Sequence, residues 1–362
     1  MKALILAGGE ATRLRPLTCN IPKAMVPVLN TPFLEWVIRH FHEYGIRDFI
    51  IAQGYLSQPM QDYFQDGSRF DVSIIYIQEK EPLGTAGAIR NAAAYLDDTF
   101  LVLNGDLFQD FKIDSIVAYH KKKGAKATIA LTSVADPTPF GLIETDADSR
   151  ITRFLEKPRP EQVTTCLINA GIYVLEPDVL SLIPPQTKVS IERETFPQLL
   201  DNGERVFAYR GDGYWMDTGT PDKYLQLHRD LLSGKSRLYS PPDDVQVAGG
   251  CRIHPGADIR GAVIIGKNCT IGKRVKITGP AVIGDGCTIL SGATVADSVL
   301  WHNVRIGPQA RVQCSIVAND CHLQKRSILQ NVVLGDNVII PAGCHPEAGI
   351  KIWPGQTYQP ES

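Results

Sequence analysis

The chain has 362 residues, of which 44% are hydrophobic and 21% are charged, and its formal net charge is −2. This composition is ordinary for a globular protein with sizeable cores, and the length predicts two domains. The small net charge argues against a nucleic-acid or membrane surface, and no apolar run approaches the ~18 residues of a membrane span. Eight cysteines without CxxC or paired metal spacing indicate free thiols, so we expect a cytoplasmic protein.

Strand-like and helix-like segments alternate from residue 1 to residue 232. The predicted strands are Ala3–Ala7, Phe49–Ala52, Val72–Ile77, Phe100–Leu103, Ala127–Thr132, Ile151–Leu155, Leu167–Val174 and Val206–Tyr209. The predicted helices are Leu34–Tyr44, Gln58–Phe64, Gly87–Tyr95, Ile113–Lys122 and Glu192–Leu200. This alternation predicts an α/β fold with a mostly parallel sheet and right-handed crossovers. Ligands of such sheets bind beyond the carboxyl ends of the strands, so the loops just after strands are the candidate site.

The first predicted strand runs into Gly8 and Gly9, and Arg13, Arg15 and Lys23 follow within about one loop. Adjacent glycines allow a sharp turn and a close approach to a ligand. Amide N–H groups beside cations favour a polyanion such as the phosphates of a nucleotide. The spacing matches neither the GxGxxG fingerprint nor a P-loop. The alternative is a tight strand exit with solvated arginines.

Two aspartates occupy loops where a metal ion could bind. Asp106 follows the strand Phe100–Leu103, and Asp217 precedes Thr220 and Pro221, which are typical of a helix N-cap and first helical residue. Because Mg²⁺ takes oxygen ligands and bridges to phosphates, two strand-end carboxylates can share one ion. Unrelated turn carboxylates or helix caps are the alternative.

Two further stretches carry candidate binding groups. In Glu156-Lys157-Pro158 the lysine can meet a phosphate and the glutamate can accept hydrogen bonds from hydroxyls, although a charged strand edge is the competing interpretation. The run Gly84-Thr85-Ala86-Gly87 opens a helix, whose free N–H groups can bind an anion or a base edge. Close packing of small residues is the alternative there.

A polar stretch with a Pro-Pro pair, residues 234–244, reads as a linker between domains at 1–233 and 245–362. Beyond it, apolar residues recur every six positions: Val247, Ile253, Ile259, Ile265, Ile271, Ile277, Ile283, Ile289 and Val295. A coil of three short strands has this period.

Residues eighteen apart stack in such a coil, which places Cys251, Cys269 and Cys287 in one interior column that we expect to fill space rather than form a disulfide. The period slips by one near Trp301 and becomes ragged up to Ile340, which predicts a loop or a distorted coil there.

Three stretches, in their order and spacing, carry a resemblance: Glu81–Gly87 (EPLGTAG), Ser190–Pro197 (SIERETFP) and Gly213–Tyr224 (GYWMDTGTPDKY). With the glycine turn and its cations, they make the chain resemble the nucleotide-sugar pyrophosphorylases, which are sugar-1-phosphate nucleotidyltransferases, and within them the mannose-1-phosphate guanylyltransferases. The resemblance implies a Rossmann-like nucleotidyltransferase domain followed by a left-handed parallel β-helix of hexapeptide repeats.

The resemblance also implies the roles of individual residues. Those implied to bind the nucleotide are Leu6, Ala7, Gly8, Gly9, Glu10, Arg13, Gln78, Glu79, Gly84, Thr85 and Gly105. Those implied to bind the sugar phosphate are Gly141, Glu156, Lys157, Asn169 and Asp217. The implied catalytic residues are Arg13 at the leaving phosphates, Lys23 at the α-phosphate, Lys157, and Asp106 and Asp217 as ligands of Mg²⁺. Two departures from the family are Ala11 in place of Gly, which narrows the turn beside the nucleotide, and Ala24 in place of Pro.

In the implied reaction a phosphate oxygen of the sugar 1-phosphate attacks the α-phosphorus of a nucleoside triphosphate, and pyrophosphate leaves. The enzyme's tasks are neutralisation and alignment, and no side-chain nucleophile is needed. Glu79 lies five residues before Gly84 and can accept the two adjacent N–H groups of guanine, which favours GTP with mannose 1-phosphate. A solvated Glu79 is the alternative, and glucose-1-phosphate thymidylyl-, uridylyl- or adenylyltransferases are the competing specificities.

Other functional classes are a non-catalytic binding homologue and an acyltransferase with a base among His254, His302, His322 and His345. The complete charged set described above argues against the first, and the six-residue period already explains the segment that carries the histidines. We expect no nucleic-acid or membrane partner, and a homo-oligomer to which the β-helix contributes.

Overall fold

The computed structural model describes residues 1–54, 56–79, 81–241 and 245–360. The chain forms two compact units, which we call the first unit (Met1–Glu10 with Val37–Trp215) and the second unit (Ala11–Trp36 with the chain from Met216 onward). The predicted boundaries at residues 233 and 245 stay a prediction. Pro242, Asp243 and Asp244 of the predicted linker, and the last two residues of the predicted second domain, lie outside the described residues.

The predicted helices are present. The α-helices are α1 (Phe33–Glu43), α2 (Gln58–Phe64), α3 (Gly84–Asn91), α4 (Ile113–Lys123), α5 (Phe196–Asp201) and α6 (Pro221–Leu232). Shorter 3₁₀ turns cover Thr12–Leu14, Lys23–Met25, Ser68–Phe70, Ala93–Tyr95, Pro160–Gln162 and Pro177–Leu182, and a π-helix covers Ile191–Thr195. Helix α6 follows the predicted N-cap, because the Thr220 side chain accepts a hydrogen bond from the Lys223 N–H at 3.4 Å. No helix within the described ranges is long and apolar enough to cross a membrane.

The strands up to residue 217 are β1 (Lys2–Ala7), β2 (Pro27–Val28), β3 (Thr31–Pro32), β4 (Asp48–Gln53), β5 (Ser73–Gln78), β6 (Phe100–Asn104), β7 (Leu107–Gln109), β8 (Ala127–Ser133), β9 (Gly141–Thr145), β10 (Ile151–Glu156), β11 (Leu167–Leu175), β12 (Val206–Arg210) and β13 (Trp215–Asp217). The first unit contains a mixed sheet in the order β10-β9-β11-β6-β1-β4-β5, with β8 pairing β11 and β12. Strands β6, β1, β4 and β5 are parallel, as predicted. Strand β11 is antiparallel to β6, β8 and β9, an addition that the alternating pattern does not reveal.

Strand β1 lies in the middle of the parallel part, and its residues Ala3, Leu4 and Ile5 are completely buried. A continuous apolar run is typical of a strand covered on both faces. Because neighbouring strands are parallel, the residues that follow β1, β4, β5 and β6 meet at one edge of the sheet. This edge carries Gly8, Gly54, Glu79 and Gly105.

The second unit contains a coil of short parallel strands. They are β14 (Gln246–Val247), β15 (Arg252–Ile253), β16 (Asp258–Arg260), β17 (Val263–Ile265), β18 (Thr270–Ile271), β19 (Lys276–Ile283), β20 (Thr288–Ile289), β21 (Thr294–Leu300), β22 (Arg305–Ile306), β23 (Arg311–Gln313), β24 (Ile316–Val317), β25 (His322–Leu323), β26 (Ile328–Gln330), β27 (Val333–Leu334), β28 (Ile339–Ile340) and β29 (Lys351–Ile352). The residues of the six-residue period from Ile265 to Val295 lie in its core, so the predicted hexapeptide coil is confirmed. At the start of the coil, Val247 and Ile253 are exposed and Ile259 is half-buried.

The expected loop or distorted coil between Trp301 and Ile340 is wrong. Strands β22, β25 and β28 stack in unbroken parallel register through this region. Each turn of the coil instead becomes one residue shorter from this point. Ile265 pairs with Ile283, eighteen residues on, but Ile283 pairs with Leu300, seventeen residues on. A register shift beside β21 absorbs the difference, and Asp297 turns the shortened corner with a left-handed φ of 47°. A change of period from eighteen to seventeen residues per turn therefore produced the irregular pattern that predicted a loop or a distorted coil.

Two members of the predicted cysteine column lie in the core, and the third, Cys251, is half-buried. Cys269 and Cys287 are completely buried, and both are free thiols. The Cys269 thiol donates to the Gly284 carbonyl at 3.1 Å, and the Cys287 thiol donates to the Trp301 carbonyl at 3.0 Å. The sulfurs thus satisfy backbone acceptors between successive turns of the coil.

Candidate active site

In the first unit, Glu79 lies directly against the glycine turn that follows β1. A side chain at residue 8 would place its Cβ 3.2 Å from Glu79 Oε1. The carboxylate is fixed there, because its Oε2 accepts the Leu83 N–H at 3.1 Å and the Glu79 N–H donates to the Gln53 carbonyl at 2.9 Å. Burial raises the pKa of Glu79, an effect that the Leu83 hydrogen bond opposes. The structure therefore brings together two predicted nucleotide residues that are seventy-one positions apart.

The backbone beside this turn has no room for side chains. A Cβ at residue 54 would lie 2.6 Å from the Gly8 carbonyl oxygen, and a Cβ at Gly105 would lie 2.6 Å from the Leu6 carbonyl oxygen. The Gly105 N–H donates to that same Leu6 oxygen at 2.9 Å, which holds the loop bearing Asp106 against the end of β1. The close approach explains why glycine occupies these loops. Gly9 and Glu10 are exposed, whereas Ala7 is half-buried.

Gln78 ends β5 beside Glu79 and is held by the protein itself. Its amide donates to the Gly54 carbonyl at 3.0 Å and accepts from the Gln53 amide at 3.1 Å and the Ser57 hydroxyl at 3.2 Å. Gln53 is completely buried, and its Oε1 has no hydrogen-bond partner among the described residues.

The start of α3 differs from the expectation of free N–H groups. The N–H groups of Ala86 and Gly87 donate to the Val189 carbonyl at 3.0 and 3.3 Å, so they are not available to a ligand. The expectation is wrong for these two groups. A Cβ at Gly84 would lie 2.6 Å from the same Val189 oxygen, so the small residues serve close backbone packing.

Sequence reasoning missed Glu192 as a residue of this site. Its Oε2 accepts hydrogen bonds from the Thr85 hydroxyl at 2.7 Å and the Ser190 hydroxyl at 2.8 Å, and its Oε1 accepts from the Tyr173 hydroxyl at 3.4 Å. Tyr173 in turn accepts from the Asn169 amide at 2.7 Å. Glu192 thereby links predicted nucleotide and sugar residues. It lies in the stretch SIERETFP, which contributed only to the family resemblance.

Asn169 owes its position to an irregularity in β11. The pairing of β11 with β8 shifts register between Asn169 and Tyr173, and Gly171 has a φ of 70°. The Asn169 Oδ1 accepts the Gly171 N–H at 2.8 Å across this bulge. Bulges re-aim side chains next to active sites, and here Asn169 is half-buried near the start of β11.

Glu156 and Gly141 are in contact across strands β10 and β9. A Cβ at residue 141 would lie 2.8 Å from Glu156 Oε2, so only glycine leaves the carboxylate its place. Burial raises the pKa of Glu156, and the negative charge of Glu192 raises it further. Lys157 is exposed, with a left-handed φ of 51°, and its N–H donates to the Phe140 carbonyl at 2.9 Å.

In the second unit, three cations surround Asp217. Arg13 Nη2 lies 3.8 Å, Lys23 Nζ 3.9 Å and Lys223 Nζ 3.4 Å from its carboxylate oxygens. Asp217 and Lys23 are buried, whereas the Arg13 side chain is 65% exposed. Asp217 was expected in the loop before α6, but it is the last residue of strand β13. Lys223 was not predicted, although it stands in the stretch GYWMDTGTPDKY.

The donor set of Asp217 suits a hard divalent cation. Its Oδ1 is buried and has no hydrogen-bond partner among the described residues. No group of three or more His, Cys, Asp or Glu side chains in the described part of the chain could enclose a metal ion. A carboxylate oxygen with additional phosphate ligands is how Mg²⁺ commonly binds in nucleotide enzymes. Asp106 belongs to the first unit and Asp217 to the second, and their sharing of one ion stays a prediction.

Comparison with known proteins identifies the class. Residues 2–234 match the nucleotidyl transferase family, and residues 242–345 match the LbH domain of EIF2B subunit epsilon. The chain belongs to the nucleotidyl transferase family, and the predicted enzyme class and the α/β domain followed by a hexapeptide β-helix are confirmed.

Individual relatives extend over most of the chain. It is 37% identical to "Mannose-1-phosphate guanylyltransferase" of Mycobacterium tuberculosis, over 75% of this chain and 76% of the relative. It is 37% identical to "Mannose-1-phosphate guanyltransferase" of Schizosaccharomyces pombe, over 94% of this chain and 92% of the relative. It is 35% identical to "UTP--glucose-1-phosphate uridylyltransferase" of Synechocystis, over 88% of this chain and 87% of the relative.

Solved structures resemble the N-terminal part. A putative glucose-1-phosphate thymidylyltransferase from Bacillus anthracis superposes with a TM-score of 0.58 at 25% identity, over 63% of this chain and 93% of that chain. HddC from Yersinia pseudotuberculosis, complexed with GMP-PN, superposes with a TM-score of 0.54 at 28% identity, over 62% and 97%.

Proposed function

We propose that this nucleotidyltransferase converts GTP and mannose 1-phosphate into GDP-mannose and pyrophosphate. Synthesis of an NDP-sugar from a nucleoside triphosphate and a sugar 1-phosphate is the activity that its class and its relatives support. The choice of GTP rests on one observation above all: the Glu79 carboxylate lies 3.2 Å from the Cβ position of Gly8, at the turn proposed to receive the nucleotide. A half-buried carboxylate can accept both the N1–H and the N2–H of guanine.

The charged residues divide the work of binding two anionic substrates. Lys23 is proposed to hold the reacting α-phosphate and Arg13 the departing phosphates, while Lys157 holds the phosphate of the sugar. Glu156 is proposed to accept hydrogen bonds from the sugar hydroxyls, and Asn169 is proposed to donate hydrogen bonds to them. The sugar phosphate is already ionised at neutral pH, so alignment of its oxygen with the α-phosphorus is the main requirement.

A divalent metal ion is general in this family, and we propose Mg²⁺. Asp217 is proposed as a ligand because its buried Oδ1 lacks a hydrogen-bond partner within the described structure. Asp106 is proposed as a second ligand from the resemblance alone. When bound, the ion neutralises phosphate charge and supports departure of pyrophosphate. A homo-oligomer built through the β-helix also remains part of the proposal, from the extended faces of such coils.

Glucose 1-phosphate with UTP is the second candidate. The uridylyltransferase of Synechocystis is 35% identical over 88% of this chain, so overall similarity does not separate the two specificities. Mannose and glucose differ at one hydroxyl, and one hydroxyl changes only one or two hydrogen bonds in the sugar pocket.

The decisive experiment measures pyrophosphate release with Mg²⁺ for every pairing of GTP, UTP, dTTP, ATP and CTP with mannose, glucose and N-acetylglucosamine 1-phosphates. Turnover highest with GTP and mannose 1-phosphate supports the proposal. If turnover is highest with another pairing of nucleotide and sugar phosphate, the proposed reaction stands and the specificity for GTP and mannose 1-phosphate is rejected. If no pairing releases pyrophosphate, a non-catalytic homologue is favoured.

A further inference from the structure

The segment that carries Lys23 is a short, irregular piece of the second unit. Lys23 opens a 3₁₀ turn, Lys23–Met25, and the hairpin β2–β3 follows directly. The Val26 N–H donates to the Lys23 carbonyl at 3.1 Å, and the Phe33 N–H donates back to the Val26 carbonyl at 3.0 Å. A two-stranded hairpin of this size is not stable by itself, so its position depends on what it contacts.

Helix α6 supplies the first of these contacts through Tyr224. Its hydroxyl donates to the Pro27 carbonyl, and its oxygen accepts the indole N–H of Trp301 at 3.0 Å. Both aromatic side chains are at most 2% exposed. An indole N–H can only donate, so it occupies the Tyr224 oxygen as acceptor and leaves the hydroxyl proton for Pro27. Trp301, in the coil, thus orients the group that holds the hairpin.

His228, one turn along α6, holds the tip of the same hairpin. Its Nδ1 donates to the Tyr224 carbonyl at 2.9 Å, and its Nε2 accepts the Leu29 N–H at 3.3 Å. Burial lowers the pKa of His228 to about 4, so the ring is neutral and Nε2 stays an acceptor at neutral pH.

The coil contacts the hairpin and α6 at two further points. Asn30, at the hairpin turn, donates from its Nδ2 to the Ile283 carbonyl at 2.8 Å. Arg229 of α6 makes two hydrogen bonds of 2.7 Å to the carboxylate of Asp297. Asp297 is the residue that turns the shortened corner of the coil, so the change of period creates the point where α6 is fixed.

We propose that the coil is a positioning element for nucleotidyl transfer, acting through Trp301 and Tyr224 on the hairpin that follows Lys23. Helix α6 carries both Lys223, whose Nζ lies 3.4 Å from the Asp217 carboxylate, and Tyr224, which holds the hairpin after Lys23. Trp301 and Tyr224 are positioning residues, since they contact neither the phosphates nor the sugar in the proposed function, on which this inference rests. Displacing Lys23 by a fraction of an ångström weakens its contact in the transition state more than it weakens substrate binding.

The test compares full-length Trp301→Phe with wild type. Phenylalanine keeps a buried ring and removes the indole N–H. We expect kcat for pyrophosphate release to fall about tenfold while KM for both substrates stays within about twofold, because orientation is lost and binding groups remain. The matched control is Trp353→Phe, whose indole is 45% exposed in the last turn of the coil, and which should leave kcat unchanged.

A second readout does not depend on substrates. Hydrogen exchange of peptides covering residues 22–33 should speed up about tenfold in Trp301→Phe and stay unchanged in Trp353→Phe. Tyr224→Phe should give the same two effects, and the double variant should be no worse than Tyr224→Phe alone, since both remove one chain of hydrogen bonds. Equal kcat and equal exchange in wild type and Trp301→Phe would overturn the proposal.

Asn30→Gly keeps the test decisive if Trp301→Phe folds poorly. Asn30 has a φ of 64°, which glycine accommodates, so this change removes the contact with Ile283 and preserves the turn. A lower kcat with faster exchange at 22–33 supports the proposal, and wild-type values for both reject it. If no substrate pair is turned over, the proposed function fails, while the exchange measurement still decides whether the coil holds this segment.

Discussion

Ala11 occupies a backbone conformation that suits glycine, and replacing it should stabilise the protein. It precedes the 3₁₀ turn that bears Arg13 and has φ 47° and ψ 43°, in the left-handed region. Its carbonyl accepts hydrogen bonds from the Leu14 N–H at 3.0 Å and the Thr18 hydroxyl at 2.9 Å, so the surroundings hold it there. The family resemblance implies glycine at this position, and the left-handed backbone of Ala11 is a conformation that favours glycine.

The size of the effect follows from two opposing contributions. A non-glycine residue in the left-handed region costs about 1–2 kcal/mol, which Ala11→Gly removes. Glycine adds about 0.4–1 kcal/mol of conformational freedom to the unfolded chain. We therefore expect the free energy of unfolding to increase by about 0.5–1 kcal/mol, or roughly 2 °C in the melting temperature.

The assay is urea unfolding followed by circular dichroism, with Ala24→Gly as the matched control. Ala24 is 3% exposed and has no positive φ, so glycine there loses a buried methyl and gains only unfolded-state freedom. The free energy of unfolding of Ala24→Gly should be lower than that of wild type by about 1–2 kcal/mol. A urea midpoint for Ala11→Gly at or below that of wild type would show that the left-handed conformation of Ala11 does not destabilise the fold.

Three further predictions concern the charged residues. Asp106→Asn should remove most Mg²⁺-dependent turnover while the melting temperature and circular dichroism stay unchanged, and a near-normal rate would reject Asp106 as a metal ligand. Glu156→Gln should raise KM for the sugar 1-phosphate and stabilise the fold. Burial and Glu192 raise the pKa of Glu156, so the native state loses stability as pH rises from the unfolded pKa through the higher folded one. Glutamine avoids this loss, so the melting temperature of Glu156→Gln should exceed that of wild type most near neutral pH, and the difference should vanish toward about pH 4. A difference in melting temperature that does not change with pH would show that ionisation of Glu156 is not its cause. Glu79→Gln should lower the rate with GTP relative to UTP in the pyrophosphate assay, and an unchanged ratio would show that Glu79 does not contact the base.

Elements that depend on local or periodic patterns can be predicted from the amino-acid sequence alone. An apolar run ending in Gly8 predicts a buried strand and a tight turn, because both properties lie within a few consecutive residues. The six-residue period predicts the coil for the same reason, since each turn repeats the environment of the previous one. The positions of Asp106 and Glu79 at strand ends also follow from this local reading.

Hydrogen-bond partners that are far apart in the chain can be identified in the folded structure but not in the sequence. Glu192 binds Thr85 from 107 residues away, and the Val189 carbonyl takes the N–H groups at the start of α3 that appeared open to a ligand. Trp301 reaches Tyr224 across 77 residues, although each alone reads as an ordinary core aromatic. Hydrogen-bond partners of this kind are chosen by packing, because a buried donor or acceptor must be satisfied by whatever the fold brings beside it.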